Sequence, residues 1–352
     1  VCMMSNSPDG FEQLLEDLGD ESVTIPFSKL YELSDLYGPR LDTFQSGLDS
    51  YPTAQRQRLV LALAELAEAS FDVNFDAIFR HCLYDSDPLV RAASIEGLWE
   101  SDDVSLIGRF LRVMRSDPSP HVRAAAAKGL GRYVLAGELE ELGAPVSSRI
   151  ITELLTVMHS SGESIEVRRR AIESVAYACT EEVLEAIDLA YYHDDEDMRL
   201  SSMLGMGRSC DRRWEPIVLL ELESSSAAMR YEAALASGEL ALVSSVPLLS
   251  HLLDDADRQV CEAAIWALGQ IGGHGAREVL LDAMDQGDDD TQAAISDALA
   301  ELALSEGAVD FALYDLDADL DDEIETGGFI SLWEADDTEE GNPFGEPSPD
   351  SP

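Results

Sequence analysis

The chain has 352 residues, 45% of them hydrophobic and 26% charged, which is enough apolar material for a continuous core. Its formal net charge is −47, because 70 Asp and Glu residues face only 23 Lys and Arg, among them two lysines, Lys29 and Lys128. Sequence-independent binding of nucleic acid requires Lys and Arg against phosphates, so the composition excludes that class of function. The charge instead favours a basic protein partner.

The cysteines, histidines and apolar stretches exclude further kinds of site. Five scattered cysteines and six histidines form no CxxC pair and have no metal-ligand spacing, so we expect no disulfide framework, metal or other cofactor. The longest apolar stretch, residues 59–69, is interrupted by two glutamates and is shorter than the ~18 residues that a membrane span needs. No charged-then-apolar leader precedes Phe11, so we expect a cytoplasmic protein that makes no membrane contact.

The first fifty residues show no repeat. They contain two amphipathic pieces, at residues 11–18 and 29–36, whose apolar side chains recur at helical spacing. We predict that residues 1–50 form a helical cap or arm.

A repeat occupies residues 51–305. An arginine that opens an alanine-rich segment recurs in steps that settle at 31 residues, and Cys261 and Gln292 replace it in the last two copies. We interpret these arginines as a structural ladder, because an Arg that follows an Asp-bearing turn can pair with that turn or with the next repeat. The predicted ladder residues are Arg58, Arg91, Arg123, Arg168, Arg199 and Arg230.

Each copy contains two helical patterns separated by a turn that is rich in Asp, Ser, Gly and Pro. Apolar residues stand four and seven positions after the arginine, and the sixth position is small in every copy, as at Gly97 and Gly129. Glycine inside a helix is unfavourable, so its recurrence indicates close approach of a neighbouring helix. Eight copies of helix, turn and helix predict an all-α fold, a right-handed α-solenoid with a core along its length.

These residues resemble HEAT repeats. The pattern Asp87-Pro88-x-Val90-Arg91 and the segment Gly129-Leu130-Gly131 are similar to the short HEAT-like form of phycobilisome lyases and bacterial adaptor proteins. The resemblance covers about residues 50–304 and implies an armadillo/HEAT-like superhelix.

The resemblance also raises two enzymatic alternatives. A bilin-lyase-like chromophore-attachment protein or chaperone subunit is the alternative function that it implies. HEAT-like deoxyhypusine hydroxylases bind iron through His-Glu pairs, but none of the six histidines here is followed by Glu, so that activity is not expected. The chain has no nucleophile elbow, phosphate loop or HExxH motif, and we predict that it is not an enzyme.

A partner-binding groove is predicted on the exposed positions of the helices that the arginines open. Basic residues gather there in the central copies and aromatic residues in the later ones, and Tyr, Trp and Arg are enriched at binding hot spots. The candidate groove residues are Lys128, Arg132, Arg169, Arg170, Tyr177, Arg208, Arg212, Arg213, Tyr231 and Trp266. One longer step adds residues around 137–145, which we expect to form a loop.

The repeat is followed by an acidic tail, residues 306–352, which we predict to be largely disordered. No Lys, Arg or His occurs after Arg277. A candidate calcium loop that starts at Asp315 lacks the required Gly and Glu. Acidic residues alternate with apolar ones, and the tail motif that we single out is Phe329, Ile330, Leu332 and Trp333.

The sequence therefore predicts a non-enzymatic scaffold or adaptor. We expect it to bind a protein partner, one that is basic or bears Arg and Lys, along the exposed helix row, through the acidic tail, or through both. The tail could instead dock within the same chain on the central arginines. We expect no binding of nucleic acid and no membrane association.

Overall fold

A computed structural model of the chain describes residues 8–20, 23, 26–284 and 288–304, and in that part all regular structure is helical. The helices are α1 (Pro8–Gly19), α2 (Phe27–Leu30), α3 (Gly38–Ser50), α4 (Thr53–Ala69), α5 (Asp76–Cys82), α6 (Pro88–Gly97), α7 (Ser105–Ser116), α8 (Pro120–Glu138), α9 (Ala144–Met158), α10 (Ile165–Val175), α11 (Glu181–Tyr191), α12 (Glu196–Arg208), α13 (Glu215–Glu221), α14 (Ala227–Glu239), α15 (Val246–Leu252), α16 (Arg258–Ile271), α17 (Gly273–Met284) and α18 (residues 289–304). Short 3₁₀ turns cover Tyr31–Leu33, Arg212–Trp214 and Val243–Ser245.

Consecutive helices from α5–α6 to α15–α16 pack as hairpins, and the hairpins stack in chain order. The second helices α4, α6, α8, α10, α12, α14 and α16 contact one another closely along the array, and we call them the second-helix row. The first helices α5, α7, α9, α11, α13 and α15 form a looser row. One apolar core runs from Phe11 to Ala298, so the predicted α-solenoid is confirmed.

The chain divides into two compact units, Val1–Ala300 and Glu301–Pro352, and the second is described only at residues 301–304. Helices α1 and α2 contact α4, and α3 contacts α5, within the first unit. The buried Leu18, Leu33 and Phe44 of this segment belong to the same core as the repeats. Helices α1, α2 and α3 thus lie against the array rather than apart from it.

The turns between paired helices set where the second helix begins. At α6, the Asp87 carboxylate accepts hydrogen bonds from the backbone N–H groups of Leu89 and Val90, at 2.9 and 3.2 Å. Pro88 occupies the first helical turn, where its missing N–H costs nothing. Side chains of Ser164, Asp195 and Asp257 cap α10, α12 and α16 in the same way.

Close packing explains why Gly97 occupies the small position of its repeat. A Cβ atom added to Gly97 would lie 2.3 Å from the ring of Phe79, which is far inside van der Waals contact. Phe79 lies on α5 and is fully buried, so the ring has no space into which it could move. Glycine at this position therefore lets the two helices of the hairpin approach closely.

Of the residues inserted around 137–145, five (139–143) form the non-helical link between α8 and α9. The residues on either side of this link extend the flanking helices, so that α8 has 19 residues and α9 has 15. The apolar face continues into both extensions, where Val134, Ser147 and Ile150 are buried. Burial of that face favours continued helix over an exposed loop.

Candidate protein-interaction surface

The ladder arginines link each hairpin to its own turn and, at several repeats, to the next turn. Arg91 donates from Nη1 to the backbone oxygens of Asp85 and Ser86, at 2.9 and 3.0 Å. Its Nε and Nη2 bind both carboxylate oxygens of Asp117, at 2.9 and 2.8 Å, in the turn of the following hairpin. Both side chains are nearly buried, with 12% and 9% of their surface exposed. The fork geometry therefore connects successive repeats.

The same double contact recurs at two further ladder positions. Arg123 binds Glu163 through two hydrogen bonds of 2.9 and 2.7 Å, and Arg230 binds Asp255 through two of 2.7 and 2.8 Å. Each of these arginines also donates to a backbone oxygen of its own turn.

The first ladder position is Arg56 and not the predicted Arg58. Arg56 donates to the Tyr51 backbone oxygen at 2.7 Å and binds the Asp85 carboxylate at 2.7 and 3.1 Å. Arg58 only approaches the backbone oxygens of Asp20 and Val23, at 3.5 Å. The physical reason is the helix register.

Burial on α4 fixes that register. Counted from Arg56, the apolar positions are Val60 and Leu63, which are fully buried. Counted from Arg58, they would be Ala62 and Glu65, and Glu65 is exposed.

The remaining ladder positions lack the next-turn carboxylate among their described contacts. Arg168 donates to the Met158 oxygen at 2.8 Å, and Arg199 to the oxygens of His193 and Asp194. At Cys261, where the arginine is lost, the thiol lies 3.2 Å from the backbone oxygen of Asp255. It therefore retains a contact with its own turn.

The ladder carboxylates are acidic groups whose pKa values are depressed. Arg123 holds the pKa of Glu163 below its ordinary value, and Arg230 does the same for Asp255. For Asp117, burial alone would raise the pKa, and the bonds from Arg91 and the Ser119 N–H more than reverse this. Because the folded pKa is the lower one, these pairs stabilise the fold above about pH 4 and lose that contribution as the pH falls.

The structure distributes the predicted groove residues along the second-helix row and its ends. Lys128 and Arg132 lie on α8, Arg169 and Arg170 on α10, Arg208 on α12, Tyr231 on α14 and Trp266 on α16, while Tyr177 follows α10 and Arg212 and Arg213 follow α12. Some of them meet in one cluster, and others lie at the turns.

The central arginines meet around Glu173, a buried carboxylate on α10. Arg170 and the Ser201 hydroxyl each donate to Glu173, both at 2.6 Å. Arg208 donates to the Glu173 backbone oxygen at 2.8 Å, and its guanidinium lies 5.0 Å from the centre of the Tyr177 ring. This distance is within the range of a cation–π contact.

Arg169 and the arginines outside the cluster also have partners. Arg169 pairs with Asp197 at 2.6 Å. Arg132 donates to the Trp99 backbone oxygen, and Arg213 forms ion pairs with Glu181 and Asp211. The arginines therefore do not form an open strip of positive charge. Lys128 is exposed and has no ion pair with a described residue.

The later copies contribute aromatic rings to the row. Trp266 retains 37% exposure, and its ring lies against α14 where Gly238 leaves room, because a Cβ there would come within 2.7 Å of it. Tyr231 is half-buried on α14 and packs against the core. Both rings are held by packing and keep an accessible part.

Glu232 is a feature of the row that the sequence analysis did not place among the site residues. Its Oε2 atom is shielded from solvent and has no hydrogen-bond partner among the described residues. Burial raises the pKa of Glu232 to about 7, with a further increase from Glu173 and Glu239 and opposition from Arg208 and Arg169. Burial likewise raises the pKa of Glu239. The available sequence signal was that Glu232 stands two positions after Arg230, outside the apolar positions of the repeat.

Three other predictions concern the tail, metals and membranes. The tail motif Phe329, Ile330, Leu332 and Trp333 lies outside the described residues. Within the described part, no group of three or more His, Cys, Asp or Glu side chains is placed to hold a metal ion. None of the helices described has the length and apolar character needed to cross a bilayer.

Comparisons with known proteins give one family match and several solved structures of low sequence identity. The HEAT-repeat family profile matches residues 76–156 and 215–300, whereas curated proteins give no significant match. Among solved structures, YibA of Escherichia coli is 19% identical over 68% of this chain and 95% of its own, with a TM-score of 0.41.

Two further structures are more distant in sequence or shape. Human deoxyhypusine hydroxylase in complex with glycerol is 18% identical over 84% of this chain and 96% of its own, with a TM-score of 0.29. The Kap95:Nup1 complex is 13% identical over 89% of this chain and 49% of that chain, with a TM-score of 0.47. Residues 76–156 and 215–300 match HEAT repeats, and the part of the chain that the structure describes is an all-α solenoid of stacked helical hairpins.

Proposed function

We propose that the chain is a non-enzymatic scaffold that binds a protein partner along the second-helix row. The observation that carries the proposal is the set of accessible aromatic and charged side chains that packing holds in place on successive helices of that row. Tyr177 under Arg208, Tyr231, and Trp266 against α14 are its main elements. Pre-organised Tyr, Trp and Arg side chains lose little conformational entropy when a partner binds.

The charges of the row and of the chain support a basic partner. Glu173, Glu232 and Glu239 lie among the arginines of the row, and the whole chain carries a net charge of −47. Such a field attracts basic proteins and speeds their association at low salt. Docking of the acidic tail on the central arginines has less support, because Arg169 and Arg170 already pair with Asp197 and Glu173.

The test is affinity capture from a lysate of the source cells with matched variants. Tyr231→Ala with Trp266→Ala removes the apolar anchors of the row, and we expect it to lower the recovered partner at least about tenfold. Leu189→Ala with Leu220→Ala is the control, because both leucines are exposed on first helices. Equal recovery by both double variants, with thermal unfolding unchanged, would contradict the proposal.

The same capture separates the row from the tail. A chain that ends at Ser305 keeps the row intact, so we expect it to recover the partner. Recovery that requires residues 306–352 and disappears at moderate salt would instead make the tail the binding element.

A further inference from the structure

Three exposed aromatic side chains lie near the start of the array, in the segments before α3, after α4 and after α6. We call them the aromatic edge: Tyr37, Phe71 and Trp99. Tyr37 is 83% exposed, Phe71 81% and Trp99 42%. The ring centres of Phe71 and Trp99 are 6.4 Å apart, with the planes tilted by 55°. Grouped apolar side chains in contact with water mark an interaction surface.

The aromatic edge lines two adjoining cavities. Phe71 and Trp99 line one of about 340 Å³, and Tyr37 lines one of about 380 Å³. Asn74, Phe75 and Asp76 lie in the walls of both. The surface is therefore concave and offers space for apolar side chains of a ligand.

Hydrogen bonds hold the backbone of this edge in place. The backbone oxygen of Asn74 accepts a hydrogen bond from the Asp35 N–H at 2.8 Å. The Ser34 hydroxyl accepts one from the Asn74 N–H at 2.9 Å. Asp35 has a φ of 53°, an unfavourable value for a residue other than glycine, which these bonds maintain. Arg132 fixes the Trp99 carbonyl at 2.6 Å. A surface already ordered in this way loses little entropy on binding.

The rim of the aromatic edge is acidic. Asp35, Asp72 and Glu100 are exposed and have no ion pair with a basic side chain among the described residues. The two basic residues nearby are already paired, Arg80 with Asp103 at 2.6 Å and Arg132 with Asp102. The remaining charge is negative and complements a cationic ligand.

The charge also decides between possible occupants. A second copy would bring the same acidic rim against itself, and like charges across an interface oppose association. The chain after Arg277 has acidic residues and no Lys, Arg or His, so it is repelled in the same way. A cationic segment with apolar side chains satisfies both the rim and the cavities.

We propose that the aromatic edge binds a short peptide segment in which Arg or Lys alternates with large apolar residues. The apolar side chains enter the cavities beside Phe71 and Trp99, and the cations face Asp72 and Glu100. This site lies in the segments that precede α3 and follow α4 and α6. It does not depend on the proposed function of the second-helix row.

The test is fluorescence anisotropy of the full chain with labelled eight-residue peptides. The probes alternate Leu with Arg, Gly with Arg, or Leu with Glu. The Gly-Arg probe has the charge without the apolar anchors, so it measures general attraction to an acidic protein. We expect the Leu-Arg probe to bind at least about tenfold more tightly than the Gly-Arg probe, and the Leu-Glu probe not to bind.

Matched variants locate the binding. Phe71→Ser should reduce the affinity for the Leu-Arg probe towards that for the Gly-Arg probe, and it should leave the fold intact because the ring is exposed. Asp72→Asn with Glu100→Gln should weaken the salt dependence, whereas Leu189→Ser on α11 should change neither. Equal affinity for the two cationic probes, or an unchanged affinity in Phe71→Ser, would overturn the proposal. So would tighter binding of the Leu-Glu probe, or Phe71-dependent dimers in light scattering.

Discussion

At the scale of single residues, several of the ladder arginines bind groups beyond their own turn. Each one satisfies carbonyl oxygens of its own hairpin, and Arg91 and Arg230 also bind a carboxylate that itself accepts a backbone N–H of the next turn. One side chain thus fixes the geometry of two repeats. Such a pair is costly to break because the remaining carboxylate stays buried without its cation.

Arg91→Met is therefore expected to lower the free energy of unfolding by about 3 kcal/mol, as is usual when one partner of a buried pair is removed. Arg213→Met is the matched control, because the ion pairs of Arg213 are exposed to solvent and exposed pairs contribute little. Urea denaturation measures both. An equal loss in the two variants would show that the ladder contact has no special role.

Glu232 should make the fold less stable as the pH rises, whereas the ladder carboxylates make it more stable. Its folded pKa, about 7, exceeds the unfolded value, so ionisation in the unfolded state weakens the fold as the pH rises from about 4.5 to about 7. Glu232→Gln cannot ionise, and we expect its melting temperature to fall less over that range than the wild-type value. Thermal unfolding at pH 5, 6, 7 and 8 measures this, with Glu262→Gln as an exposed control on α16. Parallel curves for Glu232→Gln and wild type would contradict the raised pKa.

The sequence predicts some residue roles better than others. Repetition identifies Arg91, Arg123 and Arg230, because each follows a recognisable turn. It misplaces the first position, since Arg56 and Arg58 are two residues apart and only burial on α4 distinguishes them. Burial of Glu232 depends on how closely the neighbouring helices approach, which no spacing in the sequence expresses.

At the scale of elements, the packing of α5 against α6 depends on Gly97. Gly97→Ala would force a methyl group against Phe79, and overpacking of this kind costs about 1–3 kcal/mol. Gly108→Ala is the matched change on α7, where a Cβ meets nothing within 4 Å, and there we expect a gain of about 0.5–1 kcal/mol. Chemical denaturation of both variants checks the opposite signs. Stabilisation by Gly97→Ala would refute the close-approach explanation.

Helical periodicity also predicts the paired helices and their start signals, because caps such as Asp87 and Pro88 are local. It does not predict that α8 and α9 are extended on either side of the link at residues 139–143, since that outcome depends on burial against neighbours. Helical periodicity does not predict the aromatic edge either, for a similar reason. Phe71 and Trp99 lie in different turns, and only the stacking of the hairpins brings their rings together.

At the scale of the whole molecule, the stacked hairpins carry two separate surfaces. The second-helix row presents Tyr231 and Trp266 together with the charged cluster around Glu173, whereas the aromatic edge follows the turns near the start of the array. Rigid repeats hold such surfaces in a fixed relation. We expect a partner to contact the second-helix side of the hairpins.

Site-specific photo-crosslinking identifies the side of the hairpins that a partner contacts. A photoreactive phenylalanine analogue would replace Tyr231 or Trp266 on the second-helix row and, in matched chains, Leu189 or Leu220 on the first helices. We predict a crosslinked partner band for positions 231 and 266 in the source cells and none for 189 and 220. Crosslinks confined to positions 189 and 220 would place the partner on the first helices and contradict binding along the second-helix row.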